Sequence, residues 1–269
     1  MDRLRDRGIL VTGSTGIAGA AAEAFAAEGA RVFVTSRSEV HCADLVGRIL
    51  AAGGIAGLHA AELTDERQVS AAVDAAAAFL GRIDGLFSVA GGSGRRFGVG
   101  PLHEVTLAGW EQTLALNATT QFLTIGAVLR RMLAQPPDGS GSRGVLLLMS
   151  SVLAFDPVPE HFGTHAYAAS KGAIAALTTT LAAYYAAQGI RVNAVAPGLV
   201  KTPMSERAAG DQATAEFARR KQPLADGFLD PADVASAAVY LLGDESRHVT
   251  GQILKIDAGW SVVQAPPVA

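Results

Sequence analysis

Tyr167 and Lys171 stand four residues apart in the run "YAASK". On a helix this spacing puts both side chains on one face. A phenol ordinarily ionises near pH 10 and is a poor base at neutrality. A neighbouring ammonium favours the phenolate. Lowering the pKa by two to three units takes about 3–4 kcal/mol, which one close lysine in a shielded cleft can supply. The pair is therefore a candidate general acid–base unit. Ser151 closes the apolar run "VLLLMSS". A hydroxyl there would stand at the carboxyl edge of a sheet, where open α/β folds bind ligands. Asn117, inside "WEQTLALNATTQFL", is an odd residue for a core helix position. Taken singly, Ser151 is equally well a backbone-bonding turn residue, and Asn117 an amide satisfied by backbone.

These residues need a scaffold, and the chain alternates to provide one. Short β-branched runs predict strands over 9–13, 31–36, 54–59, 85–90, 144–150, 191–196 and 253–257. Longer Ala/Leu-rich segments predict helices over 16–28, 40–52, 65–80, 109–133, 165–188 and 231–242. Runs such as "VLLLMS" are apolar throughout, as in a parallel sheet covered on both faces. Several helices end at Gly with a strand following at once. Asp230 then Pro231 reads as an N-cap and first residue. The expected fold is α/β, a doubly wound parallel sheet of about seven strands in one domain over 1–269. The polar, Ala-rich segment 201–229 is expected to form a mobile helical lid.

The first strand runs into "TGSTGIAG". Gly13, Gly16 and Gly19 would let a strand turn tightly into a helix and leave free backbone N–H groups at the helix start. Those groups and the helix dipole favour phosphate. The G-x-x-G-x-x-G spacing departs from the G-x-G-x-x-G dinucleotide fingerprint, and a turn made for packing alone is the competing explanation.

Composition narrows the classes. The chain has 269 residues, formal net charge −3 and 17% charged residues. Nothing favours a nucleic-acid or membrane partner. Cys42 is the one cysteine, so no disulfide framework or cysteine metal cluster can form within the chain. His161 and His165 lack further ligands at metal spacing and read as loop histidines. The start, "MDRLRDRG", has no apolar signal region, and no apolar run is long enough to span a membrane. A soluble cytoplasmic protein is expected.

Taken together, "TGSTGIAG", "SVAGG", "LNAT", "MSSV", "YAASK", "RVNAVAPG" and "TGQILKIDAGW" resemble the short-chain dehydrogenase/reductase family along nearly the whole chain. The resemblance implies a seven-stranded Rossmann sheet and a nicotinamide cofactor. It implies hydride transfer between nicotinamide and a carbonyl or secondary alcohol, with Tyr167 as general acid or base. Ser151 would hold the substrate oxygen, Lys171 would bind the ribose and depress the Tyr167 pKa, and Asn117 would carry a proton relay through water. The cofactor would lie along Gly13, Ser14, Thr15, Gly16 and Ile17, then Ser36 and Arg37, Glu62 and Leu63, and Ala90 and Gly91. Beyond Tyr167 and Lys171 it would reach Pro197, Gly198, Val200 and Thr202. A homotetramer or homodimer is usual in the family.

The chain also departs from that pattern. The glycine turn is one residue short and Ala18 stands where a glycine is usual. Ser88-Val89-Ala90-Gly91 replaces Asn-Asn-Ala-Gly, and Glu62 replaces an Asp. The interval from Ser151 to Tyr167 is three residues longer than usual, which leaves Ser150 as a competitor of Ser151. Where the second strand ends, Ser36 occupies the position of the ribose-binding acid and Arg37 follows. A guanidinium can pair with a 2′-phosphate, so NADP(H) is the expected cofactor, with NAD(H) the alternative. Arg95 and Arg96 could meet an acidic substrate, but on a Gly-rich loop they read first as solvated. A small carbonyl or alcohol substrate is expected. The rivals are a dinucleotide-sensing protein without turnover, for which Tyr167 is unnecessary, and an epimerase or dehydratase on the same fold. An enoyl reductase would place a Tyr seven positions before Lys171, where Thr164 stands.

Overall fold

The computed structural model describes residues 2–264. Seven strands form one parallel sheet: β1 (Gly8–Thr12), β2 (Arg31–Ser36), β3 (Ile55–Ala60), β4 (Gly85–Ser88), β5 (Gly144–Met149), β6 (Ile190–Pro197) and β7 (Ile253–Ile256). Their spatial order is β3-β2-β1-β4-β5-β6-β7. The chain moves outward from β1 in one direction, then returns and moves outward in the other. The reversal opens a crevice between β1 and β4 at their carboxyl ends.

Every residue of β1, β4 and β5 is buried, because both faces of the sheet are covered. Alternate side chains divide the core in two. Ile9, Val11, Val145 and Leu147 pack with α1 (Gly16–Ala27), α2 (Glu39–Ala51) and α9 (Pro231–Leu242). Leu10, Leu86, Leu146 and Leu148 pack with α3 (Glu66–Leu80), α5 (Thr120–Ala134) and α6 (His165–Tyr185). Asp230 caps α9 in a reciprocal capping box with Asp233, and Pro231 is its first residue, as expected from the sequence.

Two segments differ from the pattern-based reading. The expected helix over 109–133 is α4 (Leu107–Leu114), one π turn (Ala115–Thr119) and α5. It starts earlier because Thr106 caps it, accepting from Gly109 N at 3.1 Å. The wide turn is held by Thr120 Oγ1, which donates to Ala115 O five residues back at 3.0 Å. The expected lid over 201–229 contains two short helices, α7 (Glu206–Gly210) and α8 (Gln212–Lys221), followed by a 3-10 turn at Pro223–Ala225.

Candidate active site

The floor of the site is the end of β5. Met149 O accepts from Lys171 Nζ at 2.9 Å and from Gln121 Nε2 at 3.1 Å. One carbonyl thus fixes side chains from α5 and α6. Lys171 is 2% exposed, and its Nζ lies 5.5 Å from the centroid of the Tyr167 ring. The four-residue spacing on α6 does put the two groups on one face. Ser150 and Ser151 part company here. Ser150 Oγ donates to Lys171 O at 2.9 Å and serves packing. Ser151 Oγ caps the next turn, accepting from Leu153 N at 3.2 Å, and is the hydroxyl that acts on the Tyr167 phenol. Both serines, Tyr167 and Lys171 line one cleft.

Burial pushes the Tyr167 phenol above its ordinary pKa, while the Ser151 hydrogen bond pulls it down. Burial also holds the Lys171 ammonium down to about 7. The expected depression of the phenol by lysine is therefore not met by the protein alone. Both groups sit in one poorly hydrated pocket, and each is favoured in its neutral form.

Asn117 is fully buried at the centre of the π turn. Its Nδ2 donates to Gly92 O and Thr113 O, each at 2.9 Å, and its Oδ1 accepts from Gly92 N at 3.1 Å. Both amide hydrogens are thus committed to backbone. The side chain straps the loop after β4 to the helix, leaving a relay only its remaining acceptor capacity and its main chain. A Cβ at Gly91 would lie 2.5 Å from Asn117 Oδ1 and 3.7 Å from Lys171 Nζ, so this loop position requires glycine. Thr12 Oγ1 ties the crevice edge, accepting from Val89 N at 2.9 Å and Ala90 N at 3.1 Å.

The glycine turn forms the other end of the cleft, which Gly13, Ser14, Thr15, Gly16 and Ile17 line. Gly13 and Gly16 have φ of 101° and 55°, which only glycine adopts readily. The shortened turn is closed by Gly19, where a Cβ would stand 3.3 Å from Ser14 O. Thr15 makes no side-chain cap to α1, and no acidic residue occupies the first turn. The first N–H groups of α1 therefore face the cleft without a side-chain partner, as a phosphate-binding turn requires. These residues fit a dinucleotide.

Ser36, Arg37, Glu62 and Leu63 stand at the ends of β2 and β3, outside the residues that line the cleft. Ser36 Oγ bonds Ser14 Oγ at 2.9 Å, joining β2 to the glycine turn. Arg37 is exposed. Glu62 turns onto its own loop, accepting from Thr64 Oγ1 at 3.1 Å, and Leu63 is buried. Ala90, Gly91, Pro197, Gly198, Val200 and Thr202 all line the cleft.

The far wall holds residues that the sequence reading missed. Gln222, fully buried at the end of α8, accepts from Leu199 N at 2.6 Å and donates to Leu199 O at 3.1 Å and Gly227 O at 2.7 Å. A side chain at Gly198 would strike Gln222 Oε1. Gln222 thus stitches the Pro197-Gly198 wall to the lid segment. Residues of the long Ser151–Tyr167 interval pack on α8. His161 stacks on Phe217 at 4.4 Å between centroids, and Lys221 Nζ lies 2.9 Å from Asp156 Oδ2. His161 is thus a loop histidine packed against α8. Arg95, read as solvated, is half-buried and lines the cleft together with Arg207 of α7. Arg96 is exposed, its guanidinium 4.5 Å from the Phe97 centroid. Among the described residues no cluster suited to a metal ion occurs, and no helix is long and apolar enough to cross a membrane.

A family model described as Enoyl-(Acyl carrier protein) reductase matches residues 11–261. The chain is similar to 2-(S)-hydroxypropyl-CoM dehydrogenase 3 of Xanthobacter autotrophicus, with 33% identity over 267 residues, 97% of this chain and 99% of that protein. A solved short-chain type dehydrogenase/reductase from Mycobacterium ulcerans superposes with TM-score 0.88 at 29% identity, covering 98% of this chain and 92% of that one. A gluconate 5-dehydrogenase from Burkholderia cenocepacia J2315, solved with NADP and tartrate, superposes with TM-score 0.86 at 30% identity, covering 98% and 99%.

Proposed function

The chain belongs to the short-chain dehydrogenase/reductase family, and on that premise we propose that it interconverts a small ketone and secondary alcohol, with NADP(H) as the preferred nicotinamide cofactor. The observation that carries the reading is the meeting of Ser151, Tyr167 and Lys171 in a cleft that runs to the uncapped start of α1. When bound, the nicotinamide supplies or accepts the hydride at the substrate carbon.

The protein's share is binding, orientation and proton movement. In the reducing direction Tyr167 Oη gives its proton to the substrate oxygen as charge develops there, and takes it back in oxidation. A phenol kept protonated by burial is ready to donate. Ser151 Oγ holds the substrate oxygen beside Oη. Lys171, fixed by Met149 O, supports the returning proton and bonds the ribose. Asn117 positions the Gly91-Gly92 wall. Amides from Gly13 to Ile17 hold the diphosphate, and Thr202 with the 197–200 backbone holds the carboxamide end.

Arg37 carries the cofactor preference. It is exposed beyond β2, and Ser36, where an acid would repel a 2′-phosphate, is bonded to Ser14 instead. The NADP-bound relative supports this choice by likeness. Thr164 lines the cleft without an ionisable phenol, which favours carbonyl chemistry over enoyl reduction. Exposed Leu107, Phe122 and Tyr184 on α4, α5 and α6 support a homo-oligomer, which sedimentation equilibrium would test. The decisive assay follows absorbance at 340 nm across ketones and secondary alcohols with NADPH and NADH in parallel. No cofactor-linked absorbance change with any of them would overturn the reading.

A further inference from the structure

The mouth of the cleft carries two guanidinium groups that the hydride chemistry does not use. Arg95 leaves the wall just beyond Gly91 and Gly92, at the Asn117 and Lys171 end. Its backbone is not free to drift. Gly94, at φ 68°, is pressed against Thr113 so closely that a Cβ would strike it. Arg207 approaches from the lid segment on α7, beside buried Ala208. Among the described residues, neither guanidinium makes a hydrogen bond or an ion pair. Glu206, the residue before Arg207, forms no ion pair with it, and Asp211, whose carboxyl is lowered in part by the charge of Arg207, is committed to capping, accepting from Thr214 N at 2.9 Å. The residues lining the cleft include Arg95, Arg207 and Lys171 but no Asp or Glu. Arg95 is held below its usual pKa by burial and by the charge of Arg207.

Two like charges brought to one mouth without a direct ion-pair partner repel each other, and partial desolvation raises that cost. An oxyanion between them reverses the sign, since each guanidinium fork can take a carboxylate or sulfonate in two parallel hydrogen bonds. A neutral substrate would leave the repulsion in place. The cofactor's own phosphates have a separate receiver in the α1 amides.

We propose that Arg95 and Arg207 form an oxyanion subsite, and that the substrate is a ketone or secondary alcohol bearing a carboxylate or sulfonate a few bonds from the reacting carbon. The substrate class rests on the hydride-transfer reading above, whereas the anion subsite does not.

The test uses the full chain, wild type and the Arg95→Met, Arg207→Met, double and Arg96→Met variants. Each is assayed for kcat/KM with NADPH on C4–C8 keto acids and their methyl esters, and on 3-oxobutane-1-sulfonate. Each is also titrated calorimetrically with 4-oxopentanoate, with and without NADP+, and separately with NADPH. Wild type is expected to prefer acid over ester by at least about thirtyfold. Each Met substitution should cut that ratio about tenfold, and the double variant should approach parity. Arg96→Met should keep the wild-type ratio, because Arg96 lies outside the mouth. The acid and sulfonate arms decide which oxyanion is taken. Acid–ester parity in wild type, or no anion binding in any arm, overturns the subsite. So does an equal loss of NADPH and keto-acid affinity in the arginine variants, which would assign the pair to the cofactor. Anion binding without turnover would keep the subsite and overturn the hydride reading instead.

Discussion

At the β1–β2 end of the cleft, the groups offered to a ligand point outward: amides of a glycine turn, an exposed Thr15 and an exposed Arg37. At the β5–α6 end they point inward: Lys171 bonds Met149 O, Ser150 bonds Lys171 O, and Asn117 bonds Gly92 twice. The difference follows from the task. An anion already carries the charge that completes its site, so the protein need only present donors. A proton-transfer group must hold its place and acidity before the ligand arrives, so it is locked by backbone partners. Changes at the two ends should accordingly fail in different ways.

The largest expected effect is at the inward end. Tyr167→Phe should lower kcat by about a thousandfold or more while NADPH binding is kept, measured by single-turnover absorbance and fluorescence titration. Retained turnover would move the proton chemistry to another residue.

Lys171→Met should also abolish useful turnover, and it carries a second readout in stability. The folded pKa of about 7 lies below the unfolded value of 10.5. Below pH 7 both states hold the proton and the cost of the buried ammonium is fully present. As pH rises from 7 to 10.5 the folded state releases the proton first, and that cost disappears. The methionine variant should therefore be more stable than wild type at pH 6, by about 5 kcal/mol at most, with the gap closing towards pH 10.5. Thermal melts across that range check it; a gap that widens with pH would reverse the sign of the Lys171 shift.

At the outward end, Arg37→Ala should weaken NADPH by about ten- to a hundredfold and NADH little, with kcat nearly kept. Equal weakening of both cofactors would remove the phosphate role. The smallest effect belongs to the strut behind the wall. Gln222→Leu leaves Leu199 N–H and the Leu199 and Gly227 carbonyls without their partner, so about 1–3 kcal/mol of stability should be lost. Urea unfolding measures it. KM should rise more than kcat falls, because the damage is to placement.

The sheet and the Tyr167–Lys171 pair were legible because they rest on short-range pattern. Apolar runs such as "VLLLMS" report two-sided burial, and a four-residue spacing reports a shared helix face. What stayed hidden depends on partners remote in sequence or on a single turn. Hydrophobic periodicity across 107–134 continues through the π turn, so the widened backbone at Asn117 left no gap to read. Ser150 and Ser151 are alike in sequence, and only the register of β5 against α6 separates them. Gln222 and Arg207 lie in a polar, Ala-rich stretch without distinctive spacing, and their meaning comes from Leu199 and Arg95. Burial raises Tyr167 in the protein alone, a contribution hidden from sequence because proximity of an ammonium is visible there while shared desolvation is not.

The double use of Met149 O has a consequence for how such a catalyst can diversify. Two helices and a central strand are pinned at one peptide group, so the reference frame for the reacting oxygen lies beneath the variable surface. The stretches that build the rim, 152–163 and 201–229, attach to each other through His161–Phe217 and Asp156–Lys221, and meet the sheet at the end of β6 through Gln222 and Leu229 on Leu199 rather than at Met149 O. Rim segments could be exchanged as a unit for those of another specificity while the phenol keeps its coordinates.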